Sequence, residues 1–200
     1  MRHVNRFTQN PTIKPNNVAE HSYFVAVYCD MIMNTVGAFT PELRCMVLKL
    51  AMYHDSHEGI SVELPHNVKR VISKDLAHEV ESRAKVELFG TNEVEGAGAE
   101  LPHAILKVAD LLDAFLYAVE ECRMGNTFYD PIIVEVKFAL FQYATKLDNI
   151  ITSTSCSATT RLTTVEFIKE LVLHLGYMMP TFSTGNSKSM THIHTGFRRK

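Results

Sequence analysis

The chain has 200 residues, 46% of them hydrophobic, and its 20 Lys and Arg against 22 Asp and Glu give a net charge of -2. That is one domain's worth of sequence with enough apolar content for a core. So balanced a charge offers no polyanion-binding surface and excludes a nucleic-acid polymer as the expected partner. Cys29, Cys45, Cys122 and Cys156 lack C-x-x-C spacing and are expected to be reduced thiols in or near the core of a cytoplasmic protein. No uncharged apolar run reaches the roughly 18 residues needed to cross a bilayer. The polar, basic start from Met1 to Lys14 is not expected to be a signal peptide.

Pro11 and Pro15 favour an extended arm over the first sixteen residues. Asn17 with Glu20 forms a capping-box pattern that opens a helix through about Thr35, on which Phe24, Val27, Tyr28, Met31 and Ile32 recur at helical spacing. Thr40 and Pro41 start a second helix whose Leu43, Val47, Leu50 and His54 share a face. The stretch from Gly59 to Pro65 breaks the pattern, and a short helix over 66–72 precedes another over Leu76 to Phe89. A flexible connection over 91–100 leads to a long helix from Pro102 to Met124, ended by Gly125-Asn126. Asp130-Pro131 begins a helix through about Asp148 with Val134, Phe138, Phe141 and Leu147 as apolar contacts. Thr163 with Glu166 repeats the capping box before a last helix closed by Gly176. No segment alternates with period two, so the fold is expected to be all-α with about six main helices, a single unit over 1–180 followed by a polar tail or arm over 181–200.

The chemistry concentrates on a few side chains. His54 and Asp55 are adjacent at the end of an apolar, helix-like run, Glu58 follows on the same helical side, His21 lies in the first turn of its own helix beside Phe24, and Asp110 sits among the core-like Leu106, Ala109, Ala114 and Tyr117. Two imidazoles and two carboxylates from three helices can close around one divalent cation, and a carboxylate buried like Asp110 needs a cation or donors. The mixed nitrogen and oxygen set suits Mn, Co, Fe, Ni or Zn, with Mg as a further candidate. Each of these residues alone is more often a satisfied core histidine or a surface carboxylate; their combination makes the metal reading. His57 is either a surface residue or an outer partner of the site, and His192 and His194 are read as incidental in a polar tail. Arg6, Lys69 and Lys107, the last one turn before Asp110, form a candidate clamp for phosphate oxygens.

These residues resemble the HD-domain metal-dependent phosphohydrolases, in particular their small nucleotidase branch. The resemblance rests on Asn5-Arg6-Phe7, on the stretch from Asn17 to Ser22, on Leu50 to Glu58, on Glu63-Leu64-Pro65 with Lys69, and on Leu106 to Ala114 with Glu120-Glu121 and Gly125-Asn126. It implies metal ligation by His21, His54, Asp55 and Asp110, water handling by Glu58, and phosphate binding by Arg6, Lys69 and Lys107. Phe7 stands where the monophosphatase pattern has Trp, similar to a ring that packs on sugar or base, and Gln9 nearby is a candidate for pairing with an adenine edge. Glu63 occupies a position where the bacterial branch has Asp, which keeps an acidic, catalytic candidate on a longer side chain.

The branch contains bacterial 5'-deoxynucleotidases and phage enzymes that hydrolyse deoxynucleoside triphosphates. The start of the chain close to Arg6 and the short interval from Asp55 to Asp110 are more similar to the phage enzymes. The expected reaction is therefore hydrolysis of a deoxynucleoside triphosphate, dATP foremost, to deoxynucleoside and inorganic triphosphate. The alternative is hydrolysis of a deoxynucleoside monophosphate to deoxynucleoside and phosphate. Signalling-nucleotide hydrolysis and a non-catalytic regulator or scaffold are the other classes considered. The family resemblance also implies a homo-oligomer, a dimer or hexamer; the stripe Phe167, Leu171 and Leu175 reads either as its contact surface or as core packing within one subunit, and the expected location is cytoplasmic, that of the host if phage-encoded.

Overall fold

The computed structural model describes residues 2, 4–7, 10–37, 39–56, 58, 76, 79, 82–83, 100–153 and 162–176. The expected helix over 66–72, most of that over 76–89, and the tail over 181–200 lie outside the described residues. Within them the protein is all-α, and its pairing of extended backbone is limited to an isolated antiparallel bridge between Asn5 and Asn17. Five α-helices are described: α1 (Val18–Val36), α2 (Pro41–Tyr53), α3 (Glu100–Arg123), α4 (Asp130–Ser153) and α5 (Thr164–Gly176), with a 3-10 turn over Thr127–Tyr129 ahead of α4. None of them is long and apolar enough to cross a membrane.

Local chemistry sets the helix ends. Asn17 Oδ1 accepts from Glu20 N at 3.0 Å to open α1, and Thr40 Oγ1 accepts from Leu43 N at 3.3 Å with Pro41 in the first turn of α2. After α3, Gly125 takes a left-handed φ of 95° and Asn126 N reaches back to Glu121 O at 3.0 Å, the closure that a glycine permits most cheaply. The box at α5 is complete: Thr163 N donates to Glu166 Oε2 at 2.8 Å, and Glu166 N donates to Thr163 Oγ1 at 3.1 Å. A second cap comes from the preceding helix. Asp148 accepts from Thr164 N at 2.7 Å and from Val165 N at 3.1 Å, and α4 continues past Asp148 to Ser153.

The apolar core joins α1, α2, α3 and α4. Val25, Cys29, Ile32 and Met33 meet Val47, Leu50 and Ala51, with Ile105, Val108, Ala109 and Leu112 of α3 between them and Leu140, Ala144 and Leu147 behind. Several expectations change here. On α1 the buried stripe runs through Val18, His21, Ser22, Val25 and Cys29, while Phe24, Val27 and Met31 face outward, so His21 points into the core and not along Phe24. Val134 and Phe138 on α4 are 69% and 66% exposed, and Leu140, Ala144, Leu147 and Ile151 are the packed face. Cys45 is exposed, since it turns away from the Val47–Leu50 face of α2. Finally, Phe167 and Leu171 are partly buried against the subunit's own core around the fully buried Ile168.

Candidate metal centre

Three helices and the N-terminal arm converge on one spot. α1 contributes His21 from its first full turn, fully buried by the neighbouring Val18 and Val25. α2 stops at Tyr53, and His54, Asp55 and Ser56 form a turn, with Ser56 N bonded to Tyr53 O at 3.1 Å and Glu58 N to Asp55 O at 3.0 Å. The helix expected to run on through Glu58 thus tightens into a turn at His54–Ser56, His54 keeping helical backbone angles and Glu58 N bonding three residues back. α3 contributes Asp110 and, one turn later, Asp113.

His21 Nε2 lies 3.0 Å from His54 Nε2, 3.4 Å from Asp55 Oδ2 and 3.5 Å from Asp110 Oδ1. His54 Nε2 is 3.4 Å from the same Asp55 oxygen. The other ring nitrogens are already engaged: His21 Nδ1 lies 2.6 Å from Asp113 Oδ2, and His54 Nδ1 lies 2.8 Å from the carbonyl oxygen of Ala51. A carbonyl only accepts, so Nδ1 of His54 carries the proton, and the Asp113 carboxylate favours the same tautomer for His21. Both neutral imidazoles then aim an Nε2 lone pair at a point also faced by two carboxylate oxygens. Four acceptors without a shared proton repel one another unless a cation sits among them. The separations among His21, His54 and Asp55 suit bonds of about 2.0–2.2 Å to one ion, so these three residues fit a divalent metal, with Asp110 facing it from the His21 side at 3.5 Å. Among the described residues His21, His54 and Asp55 form the tightest such group.

The electrostatics agree. Burial opposes the charged form of Asp55, but the facing His21 and His54 rings and the charge of Arg6 hold its carboxyl well below the usual range. Burial likewise opposes Asp110, and Lys107, Arg6 and His21 outweigh it and lower its pKa. For His21, burial pulls downward, yet the hydrogen bond to Asp113 and the nearby Asp55 carboxylate win and raise its pKa, the sign of a field that favours positive charge between these groups.

Two cations face the same point. Lys107 Nζ contacts Asp110 Oδ2 at 2.7 Å. Arg6 Nη2 lies 3.7 Å from Asp55 Oδ2 and 3.8 Å from Asp110 Oδ1, and Nη1 lies 4.0 Å from Asp113 Oδ2. Arg6 is delivered by the arm: Arg6 N donates to Asn16 O at 2.8 Å beside the Asn5–Asn17 bridge. Phe7 then adopts a left-handed φ of 57°, a conformation that costs a non-glycine residue about 1–2 kcal/mol. Its ring stacks on Tyr117 at 4.9 Å and meets the edge of Tyr129 at 6.2 Å, and such a pair offsets about 1 kcal/mol of that cost. Phe7 therefore spends one face on the fold.

Glu58 is buried. Gln9, His57, Glu63 and Lys69 lie outside the described residues. Two carboxylates had no role in the sequence reading. Asp113 had a signal, its spacing of three residues from Asp110 on one helix face. Glu121, fully buried, stands in the Glu120-Glu121 pair of the family pattern, but its role left no local mark, because its partners include backbone amides of the distant arm.

An all-α bundle that gathers two histidines and two aspartates beside Arg6 and Lys107 is the arrangement of an HD-type, metal-dependent phosphohydrolase. The family model described as 5'-deoxynucleotidase YfbR-like matches residues 1–148. Proteins named 5'-deoxynucleotidase YfbR from Salmonella paratyphi B and Salmonella newport are each 30% identical over 146 residues, covering 63% of this chain and 71% of theirs. The chain belongs to the YfbR-like 5'-deoxynucleotidase family, a group of metal-dependent nucleotide phosphohydrolases. These similarities favour the monophosphate alternative over the triphosphate reaction expected from the short Asp55–Asp110 interval. Loop length is a weak guide to substrate, because surface insertions come and go without altering the ligands at their ends.

Proposed function

We propose that this protein hydrolyses 5'-deoxynucleoside monophosphates to deoxynucleoside and inorganic phosphate. The observation that carries the reading is the family match across residues 1–148, which contains every described group of the metal centre together with Arg6 and Lys107. Arg6 and Lys107 bind the phosphate oxygens and oppose the charge that builds on them, in a site whose carboxylates hold both cations in place beforehand. A metal held by His21, His54, Asp55 and Asp110 supplies Lewis acidity and a water of lowered pKa when bound. Glu58, buried just beyond the ligand turn, is the carboxylate that would orient an attacking water and accept its proton. Asp113 holds the His21 ring through Nδ1.

Product analysis tests the reading. Phosphate released from dAMP and other deoxynucleoside monophosphates in the presence of Mn, Co, Mg or Zn is the expected result. Inorganic triphosphate from dATP, with no phosphate from any monophosphate, would overturn it.

A further inference from the structure

We propose that Glu121 is a positioning residue that grips the N-terminal arm and thereby fixes Arg6 over Asp55 and Asp110. This rests on the assignment of Arg6 to the substrate phosphate. Glu121 is fully buried, and its donors are unusually one-sided. Ile13 N donates to Oε2 at 2.8 Å and to Oε1 at 3.1 Å, and Lys14 N donates to Oε1 at 2.8 Å. Asn126 Nδ2 donates to Oε2 at 2.6 Å and also to Pro11 O at 2.8 Å. Tyr117 OH, 3.3 Å from Oε1, donates to Lys14 O at 2.6 Å. One buried carboxylate, one amide and one phenol thus hold residues 11, 13 and 14 of the arm.

Burial opposes ionisation of Glu121, but the Ile13 and Lys14 amides, Asn126 and Tyr117 outweigh it and lower its pKa. The exposed Lys14–Glu120 pair at 3.2 Å adds little to this grip. From the clamp the chain runs both ways to the centre. Asn16 O holds Arg6 N at 2.8 Å, and Phe7 lies on Tyr117, the same side chain that holds Lys14. The arm is a loop pinned at its base by the Asn5–Asn17 bridge and at its far side by Glu121, with Arg6 carried on it. Among the described residues beyond Phe7, the stretch gripped by Glu121 has little apolar anchorage of its own; Ile13 is 54% exposed. Loss of the carboxylate therefore frees the arm while α3 keeps its packing.

The test is a double-mutant cycle between Arg6 and Glu121, read in three ways. E121A should lower kcat/KM for a deoxynucleoside monophosphate about 10²-fold, as small misplacements of a charge clamp do, and E121Q, which keeps one acceptor, should lose less. In an R6A background the same Glu121 substitutions should change kcat/KM less than about twofold, because residues acting as a unit are not additive. Y117F, a milder change, should show the same dependence on Arg6. Hydrogen exchange at the Arg6, Ile13 and Lys14 amides should accelerate in E121Q, with metal content unchanged, and binding of inorganic phosphate should weaken in E121Q but not further in R6A/E121Q. Equal losses from E121Q with and without Arg6, or unchanged exchange in the arm, would overturn the proposal. If the parent releases no phosphate from any monophosphate, the substrate assignment falls, and arm exchange with the phosphate-binding cycle still decides the role of Glu121.

Discussion

Asp113 Oδ2 sits 2.6 Å from Nδ1 of His21, on the side of the ring away from the metal-ligand carboxylates. That contact selects which nitrogen of a fully buried imidazole faces His54, Asp55 and Asp110. A carboxylate behind a ligand histidine also raises the basicity of the nitrogen in front.

Replacing Asp113 should therefore weaken metal binding without removing a ligand. D113A is expected to lower metal affinity by about 10–100-fold, with D113N less affected because its amide oxygen still accepts from Nδ1. Competition against a graded chelator measures this. Parent-like affinity in D113A would remove Asp113 from the site.

Ligand and acid-base variants should separate cleanly. H54A and D110A are expected to lose metal and activity together, each having given up a donor that faces His21 Nε2 or its neighbours. E58Q should retain metal and lose turnover by a factor of about 10² or more. Metal content and kcat from the same preparations supply the check; stoichiometric metal in both ligand variants would contradict the assignment.

Asp148 joins α4 to α5 through Thr164 N and Val165 N. D148A should destabilise the fold by about 1–2 kcal/mol, the worth of a lost helix cap. Because that cap lies on the helix pair away from the ligand turn, metal affinity should stay at the parent value. Thermal unfolding of the metal-free protein, followed beside a metal titration, would show both.

Acid should loosen the arm before it unfolds the bundle. Glu121 has a folded pKa below its ordinary value, so its contribution is complete above the usual glutamate range and is lost as pH falls through the depressed folded value. Of its titratable neighbours, Lys14 is paired with Glu120, and Tyr117 and Cys122 have raised pKa values and stay neutral through the acid range. E121Q should accordingly show a flatter acid limb in arm hydrogen exchange than the parent. Parallel acid limbs in the two proteins would place the arm's stability elsewhere.

The sequence disclosed the helices and the four ligand candidates because both leave local marks: caps, Gly125, and His or Asp set beside apolar positions. What it hid were choices made between distant segments. The periodicity of Phe167 and Leu171 told that a face is buried but not that its cover is the subunit's own core. Val134 and Phe138 have helical spacing and still lie outside, because a helix of mixed apolar faces buries the one its neighbours reach. Glu121 stood in the family pattern without a role, because its partners include the amides of Ile13 and Lys14, and every residue but proline carries such an amide. The turn at His54–Ser56 was misread as helix, since nothing in that stretch breaks a helix by composition.

Along α3, Lys107, Asp110, Asp113, Tyr117 and Glu121 follow one another at three- and four-residue steps. Cation, ligand, ring-holder, arm support and arm anchor are thus strung on a single rod whose phase is common to all. Each can be exchanged singly and leave the others aimed. An inserted or deleted residue between Lys107 and Glu121 would instead turn everything beyond it by about 100°, disconnecting the arm from the centre at a stroke. Variation within this stretch should thus proceed by substitution at constant length, with changes of length confined to the segments between helices.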